Sequence, residues 1–114
     1  MPMLMIRTNQ AIAADQREAV LAEASRRIAQ AVGKPEKFVM VSLHDGIPMM
    51  FGGGTEPAAY MEFKNIGLQG DQTEGLSNLL ASFAEDWLNV GRERLYVEFA
   101  DIPRGWWGFN GGTL

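Results

Sequence analysis

An apolar strand, an amphipathic helix, a glycine stop and a second β-rich run occur twice in the same order along this chain. No other feature constrains the fold as much. In the first pass, Met3 to Thr8 reads as a short, nearly continuous apolar strand, the pattern of a strand covered on both faces. Asp15 stands as an N-cap, with Glu18 completing a capping-box pattern in which Asp replaces Ser or Thr. Leu21, Ala24, Ile28, Ala31 and Val32 then fall at helical spacing, Gly33 supplies a left-handed stop and Pro35 prevents resumption. Phe38 to Leu43 is β-rich again.

The second pass runs through Ala59 to Ile66 as a strand and a helix opened by Asp71 or Thr73. That helix carries Leu76, Leu79, Leu80, Phe83, Trp87 and Leu88, with Gly91 as its stop. Leu95 to Phe99 follows as a strand. Asp15 and Asp71 are separated by nearly the same interval as Gly33 and Gly91. The expectation is an α/β (α+β) fold: a tandem βαβ repeat, giving a four-stranded mixed sheet with both helices on one face through right-handed crossovers. The 114 residues make one domain, 1–114, with pseudo-repeats at about 2–50 and 58–110.

Two helices cover one sheet face only, yet the strands Met3–Ile6 and Phe38–Val41 are apolar on both sides, so a second copy of the chain is expected against the sheet or its edges. The segment Trp106-Trp107-Gly108-Phe109 is too apolar to lie free in water and is expected to add a strand to a neighbour.

Composition removes most familiar chemistries. The chain has no cysteine, which excludes thiolate nucleophiles, redox pairs and thiolate-held metals, and its one histidine, His44, leaves too few ligands for a histidine zinc site. A net charge of −4 argues against a binder of nucleic-acid phosphates. No apolar run is long enough for a signal peptide or a membrane span, so a cytoplasmic protein is expected, with no membrane partner.

The bases that remain are carboxylates, lysines, tyrosines and the amino terminus. Residue 2 is proline, and removal of Met1 before this small residue leaves Pro2 with a free secondary amine. An α-amino group titrates near pH ~8. Burial near a lysine lowers that value, because desolvation and like charge both disfavour the ammonium, and the group becomes a general base at neutral pH. On the residues alone, Met-Pro reads first as an ordinary way to begin a chain. Lys34, just past the first helix, can hold a substrate carboxylate or simply neutralise the helix C-terminus. The run Phe51-Gly52-Gly53-Gly54 lacks the Gly-Lys-Ser/Thr ending of a phosphate loop and reads as a turn between the repeats, with Glu56 structural or solvent-facing. His44-Asp45 reads as a solvent-facing turn pair, and Arg26-Arg27 as a solvated helix face.

Taken together, Met1-Pro2-Met3, Thr8-Asn9, Gly33-Lys34-Pro35, Phe51-Gly52-Gly53 with Glu56-Pro57, Ile66-Gly67, Tyr96, and Gly108 with Asn110 resemble the macrophage migration inhibitory factor family of the tautomerase superfamily along essentially the whole chain. The resemblance implies a homotrimer with sites at the subunit interfaces. It implies Pro2 as the catalytic base, Lys34 and the Ile66 N–H on the substrate carboxylate, and Tyr96 supplied by the neighbouring subunit. The implied reaction is cofactor-free, metal-free keto–enol tautomerisation of phenylpyruvate-like 2-oxo acids. Alternatives left open are another 2-oxo acid substrate, or a signalling and partner-binding protein with vestigial activity.

Departures from the family pattern sharpen these expectations. Glu98 stands where the mammalian cytokine has asparagine, so a carboxylate there would repel an anionic substrate and raise the amine's pKa. Phe38 replaces a pocket tyrosine, while Trp107 and Phe109 stand in place of valine and tryptophan near the mouth. Ala58 and Met61 occupy the positions of two redox cysteines, so a thiol-redox activity does not carry over. The arginine of the receptor contact has no counterpart in the Ile12–Ala14 region, which weighs against receptor binding.

Overall fold

A computed structural model describes residues 1–114. The chain runs β1 (Met3–Thr8), α1 (Arg17–Val32), β2 (Met40–His44), β3 (Ala59–Asn65), α2 (Thr73–Phe83), β4 (Leu95–Asp101), then a small hairpin of β5 (Gly108–Phe109) and β6 (Gly112–Thr113). The main sheet has the order β2-β1-β3-β4. β1 and β2 are parallel, β3 and β4 are parallel, and β1 and β3 are antiparallel. Each βαβ unit therefore supplies one parallel pair, and the two units join through antiparallel central strands, giving the mixed four-stranded sheet expected from the duplication.

The helices and the sheet are held by one apolar cluster. Alternation along the strands places Leu4, Ile6 and Thr8 of β1, and Met61, Phe63 and Asn65 of β3, in the buried layer. Val20, Ala24 and Ile28 of α1, with Leu76, Leu80 and Phe83 of α2, pack onto them. Full burial of a side chain such as Ile28 or Phe83 contributes about 1.5–3 kcal/mol, so this layer dominates the fold's stability. Val20, not Leu21, fills the first buried position of α1, and Ala31 is exposed. The opposite residues of β1, Met3, Met5 and Arg7, are only half-buried. The apolar run in β1 is thus covered on one side within a single chain.

Several local expectations require correction. Asp15 lies in a 3-10 turn (Ala14–Gln16), and α1 begins without any side-chain cap, so the capping box does not form. Asp45 explains why the connector is ordered instead: its carboxylate accepts the Ile12 N–H at 2.8 Å and pairs with Arg17. That hydrogen bond first, and Arg17 after it, hold the Asp45 carboxyl below its ordinary range, so the residue is a clamp and not a solvent-facing turn partner. Phe38 sits in a 3-10 turn (Glu36–Phe38), and β2 begins only at Met40. Arg27 is half-buried, its guanidinium 5.7 Å from the Phe83 ring centroid, and only Arg26 is a solvated face residue.

Gly33 does stop α1 in the left-handed region, at φ 66°, donating its N–H to the Ala29 carbonyl. The second helix ends differently. It widens into a π-helical turn (Ala84–Leu88) and stops at Asn89, at φ 56°, while Gly91 is extended. The glycine-rich turn closes through a bridge between Phe51 and Gly54. Arg94 fastens it, donating to the carbonyls of Pro57 at 2.9 Å, Glu56 at 3.1 Å and Phe51 at 3.2 Å, with Glu56 ion-paired at 3.6 Å. No helix of the chain is long and apolar enough to cross a membrane.

Candidate active site

The duplicated topology brings the start of β1, the start of β2 and the ends of β3 and β4 to one end of the sheet. Pro2 lies immediately before β1, and its ring is fully buried. Its carbonyl accepts the Met40 N–H at 3.0 Å, so the chain start is fixed against β2 by a backbone bond that no side chain at position 2 provides. The Met1 amine lies 3.3 Å from the Asn65 side-chain oxygen. Burial, and secondarily the Lys34 charge, hold this amine below its ordinary value of 8.0.

Two clefts open at this amino-terminal segment, and Met1 and Phe38 border both. One, of about 280 Å³, also meets Lys34, Ile66 and Arg104. The other, of about 380 Å³, is mainly apolar and is walled by Pro2, Phe38, Met40, Trp107 and Phe109, with Lys37 and Lys64 as its polar residues. Phe38 and Phe109 meet edge-on with ring centroids 6.3 Å apart, which braces the hairpin against the turn before β2. Gly33 explains the placement of Lys34: the left-handed stop turns the chain, and the Lys34 N–H also bonds the Ala29 carbonyl, at 3.2 Å.

Five of the seven residues expected at the site therefore gather at this end: Pro2, Lys34, Phe38, Ile66 and Trp107. Tyr96 and Glu98 do not join them within one chain. Both lie on the sheet face that the helices leave uncovered, in register with Tyr60 and Glu62. Tyr96 is exposed and packs on Phe51 at 5.0 Å between centroids, while Glu98 accepts the Tyr60 hydroxyl at 2.6 Å. That hydrogen bond is the main reason the Tyr60 phenol is pushed up to about 12.

Asn65, Lys37, Lys64 and Arg104 escape a reading of the sequence. Asn65 is the one with a usable signal, since it is a polar residue in the same alternation phase as Met61 and Phe63, and it is almost wholly buried. Its side-chain oxygen also accepts the Ile66 N–H at 2.9 Å. Asp101 holds the following residues, accepting the N–H groups of Gly67 at 3.0 Å and Leu68 at 3.2 Å. The site thus combines a desolvated amine, an apolar aromatic wall and several cations at one end of an otherwise acidic protein. Such an arrangement can bind a small carboxylate with an apolar arm and move a proton on it.

Comparison with known proteins gives the chain its family. The sequence matches the family described as macrophage migration inhibitory factor (MIF) over residues 1–114. It is 39% identical over 101 residues to the macrophage migration inhibitory factor homolog of Brugia malayi, covering 84% of each chain. With macrophage migration inhibitory factor of Rattus norvegicus it shares 32% over 115 residues, covering 100% of this chain and 99% of that one. The crystal structure of a homologue from Prochlorococcus marinus superimposes with a TM-score of 0.92 at 41% identity, covering 97% of both chains. The chain belongs to the macrophage migration inhibitory factor family, within the tautomerase superfamily.

Proposed function

We propose that this protein is a cofactor-free keto–enol tautomerase of phenylpyruvate-like 2-oxo acids, with the Pro2 amine as general base once Met1 is removed. The observation that carries the reading is the buried Pro2 at the wall of the apolar cleft, beside a Met1 amine whose titration is lowered by partial burial and by Lys34. A neutral amine takes the enol O–H proton and returns a proton to carbon 3, so the reaction is balanced without an oxidant or a metal. Lys34 and the Ile66 N–H receive the substrate carboxylate, and the same positive end stabilises the enolate as its charge develops. Phe38 and Trp107 wall the apolar arm.

The working assembly in this reading is a homotrimer. Support comes from three features: the uncovered sheet face, the outer edges of β2 and β4 with no strand beside them, and the exposure of Met40, Tyr96 and Trp106. Tyr96 and Glu98 reach a Pro2 cleft only from a neighbouring copy.

Intact mass and ketonisation of enol-phenylpyruvate, measured on one purified sample, test the proposal. A free Pro2 with turnover, lost in Pro2→Gly while the oligomer persists, is the expected result. Unchanged turnover in Pro2→Gly, which keeps a primary amine at the chain start, removes the proline from the mechanism.

A further inference from the structure

The two clefts that share Met1 and Phe38 each carry their own pair of cations. Lys34 and Arg104 border the smaller one, and Lys37 and Lys64 border the apolar one that contains Pro2. One carboxylate needs only one of these pairs. Within one chain no Asp or Glu side chain borders either cleft, in a protein with 14 acidic residues against 10 basic ones. The carboxylates nearby are the Leu114 terminus at the smaller cleft, Asp101 on an adjoining cleft with Lys34 and Arg104, and, in the trimer reading, Glu98 of the neighbouring copy. None of the four cations forms an ion pair within the chain. The Lys37 ammonium rests over the Phe38 ring at 5.1 Å from its centroid, so it is held beside the aromatic wall on which a substrate's arm would lie. Lys64 reaches the same cleft from β3, opposite Met3 in the strand register.

We infer that the substrate is a 2-oxo acid bearing a second anionic group on its apolar arm. The carboxylate next to the reacting carbon faces Lys34 and Arg104, and the distal anion faces Lys37 and Lys64. This assignment rests on the tautomerase reading for which end is which, but the preference for two anions is a property of the cleft and is measurable without turnover.

Calorimetric titration with phenylpropionate and with its para-carboxy derivative tests the inference, since neither compound can enolise to a 2-oxo acid. At low salt the dianion is expected to bind about fivefold more tightly than the monoanion, the preference shrinking as salt is added. In Lys37→Gln/Lys64→Gln, two exposed positions, that preference is expected to fall to about parity. Equal binding of the two compounds by the unaltered protein overturns the inference, and so does a preference that survives the double substitution. A dianion preference in a protein without any ketonisation activity refutes the tautomerase reading alone and leaves the two-anion cleft standing.

Discussion

The side-chain oxygen of Asn65 accepts the backbone N–H of Ile66 at 2.9 Å, so the donor proposed for a substrate carboxylate is already occupied in the free chain. A carboxylate that takes this N–H replaces a neutral acceptor by a charged one. Hydrogen bonds to charged groups are worth about 1.5–3 kcal/mol against about 0.5–1.5 for neutral ones, so the substrate wins the exchange but loses part of the gain.

Asn65→Ala should therefore free the donor and lower KM for phenylpyruvate by up to about fivefold, the equivalent of about 1 kcal/mol. The same change removes the acceptor 3.3 Å from the amino-terminal nitrogen, which a thermal unfolding curve would register as a modest loss of stability. Steady-state kinetics decides the matter. A KM that rises shows that Asn65 orders the turn before Gly67 and does not compete with substrate.

The amine's titration gives the second prediction, and its sign follows from the two causes. Burial comes first and Lys34 second, and both disfavour the ammonium, so the neutral base is reached below pH 8.0. Loss of Met1 passes the free amine to Pro2, whose ring is fully buried in the intact chain, so burial stays the leading cause, opposed in the trimer reading by Glu98 of the neighbouring copy. The rate of ketonisation is expected to rise with pH to a midpoint below 8.0, and Lys34→Gln is expected to move that midpoint upward while raising KM by about tenfold, or ~1.4 kcal/mol. Because the unfolded chain binds this proton more tightly, stability contributed by the amine increases with pH through the same window. A pH–rate profile that Lys34→Gln leaves in place separates the lysine from the base.

Much of the fold was legible because strand and helix periods are set by geometry: the phases of Leu4 and Ile6, and of Leu76 and Leu80, place both in the core. The helix ends were less legible. Asp15 fits a cap pattern, but its chain enters α1 through a 3-10 turn, and Asn89 occupies a left-handed stop that the nearby Gly91 suggested for itself. At the site, Pro2 and Lys34 stood out by their local context, and Phe38 only through the family resemblance. Lys37, Lys64 and Arg104 did not, because only the pairing of β1 with β2 and β3 brings their distant positions to one end of the sheet. The effect of Glu98 was also hidden, since its partner, Tyr60, lies on another strand.

That pair supports a third prediction. The Tyr60 hydroxyl donates to Glu98 at 2.6 Å, which stabilises the neutral phenol and raises its titration to about 12. The folded chain therefore keeps this proton where the unfolded chain loses it. Stability from the pair is present below the ordinary tyrosine value of 10.0 and is lost as pH rises toward about 12. Glu98→Gln removes the carboxylate and should bring the Tyr60 transition back toward 10.0 in an ultraviolet phenolate titration. An unshifted transition would assign the elevation to burial, the second cause.

Gly33 ties the helix stop to the site. Its φ of 66° lies where an L side chain is strained, although no atom stands within 4 Å of the place a Cβ would take. Gly33→Ala should thus cost about 1–2 kcal/mol from backbone conformation alone, without a clash. Gly70→Ala provides the contrast, since Gly70 has neither a positive φ nor a close neighbour, and it should change stability by less than ~0.5 kcal/mol. The strain at Gly33 falls on the turn that aims Lys34, whose own N–H shares the Ala29 carbonyl with Gly33. Relief of the strain by unwinding that turn would displace the lysine, so Gly33→Ala is expected to raise KM for phenylpyruvate more than it lowers kcat. Denaturant unfolding and steady-state kinetics on the two variants test both halves. Equal destabilisation of the two would remove the left-handed turn as the cause, and an unchanged KM in Gly33→Ala would show that Lys34 is positioned by something other than the helix stop.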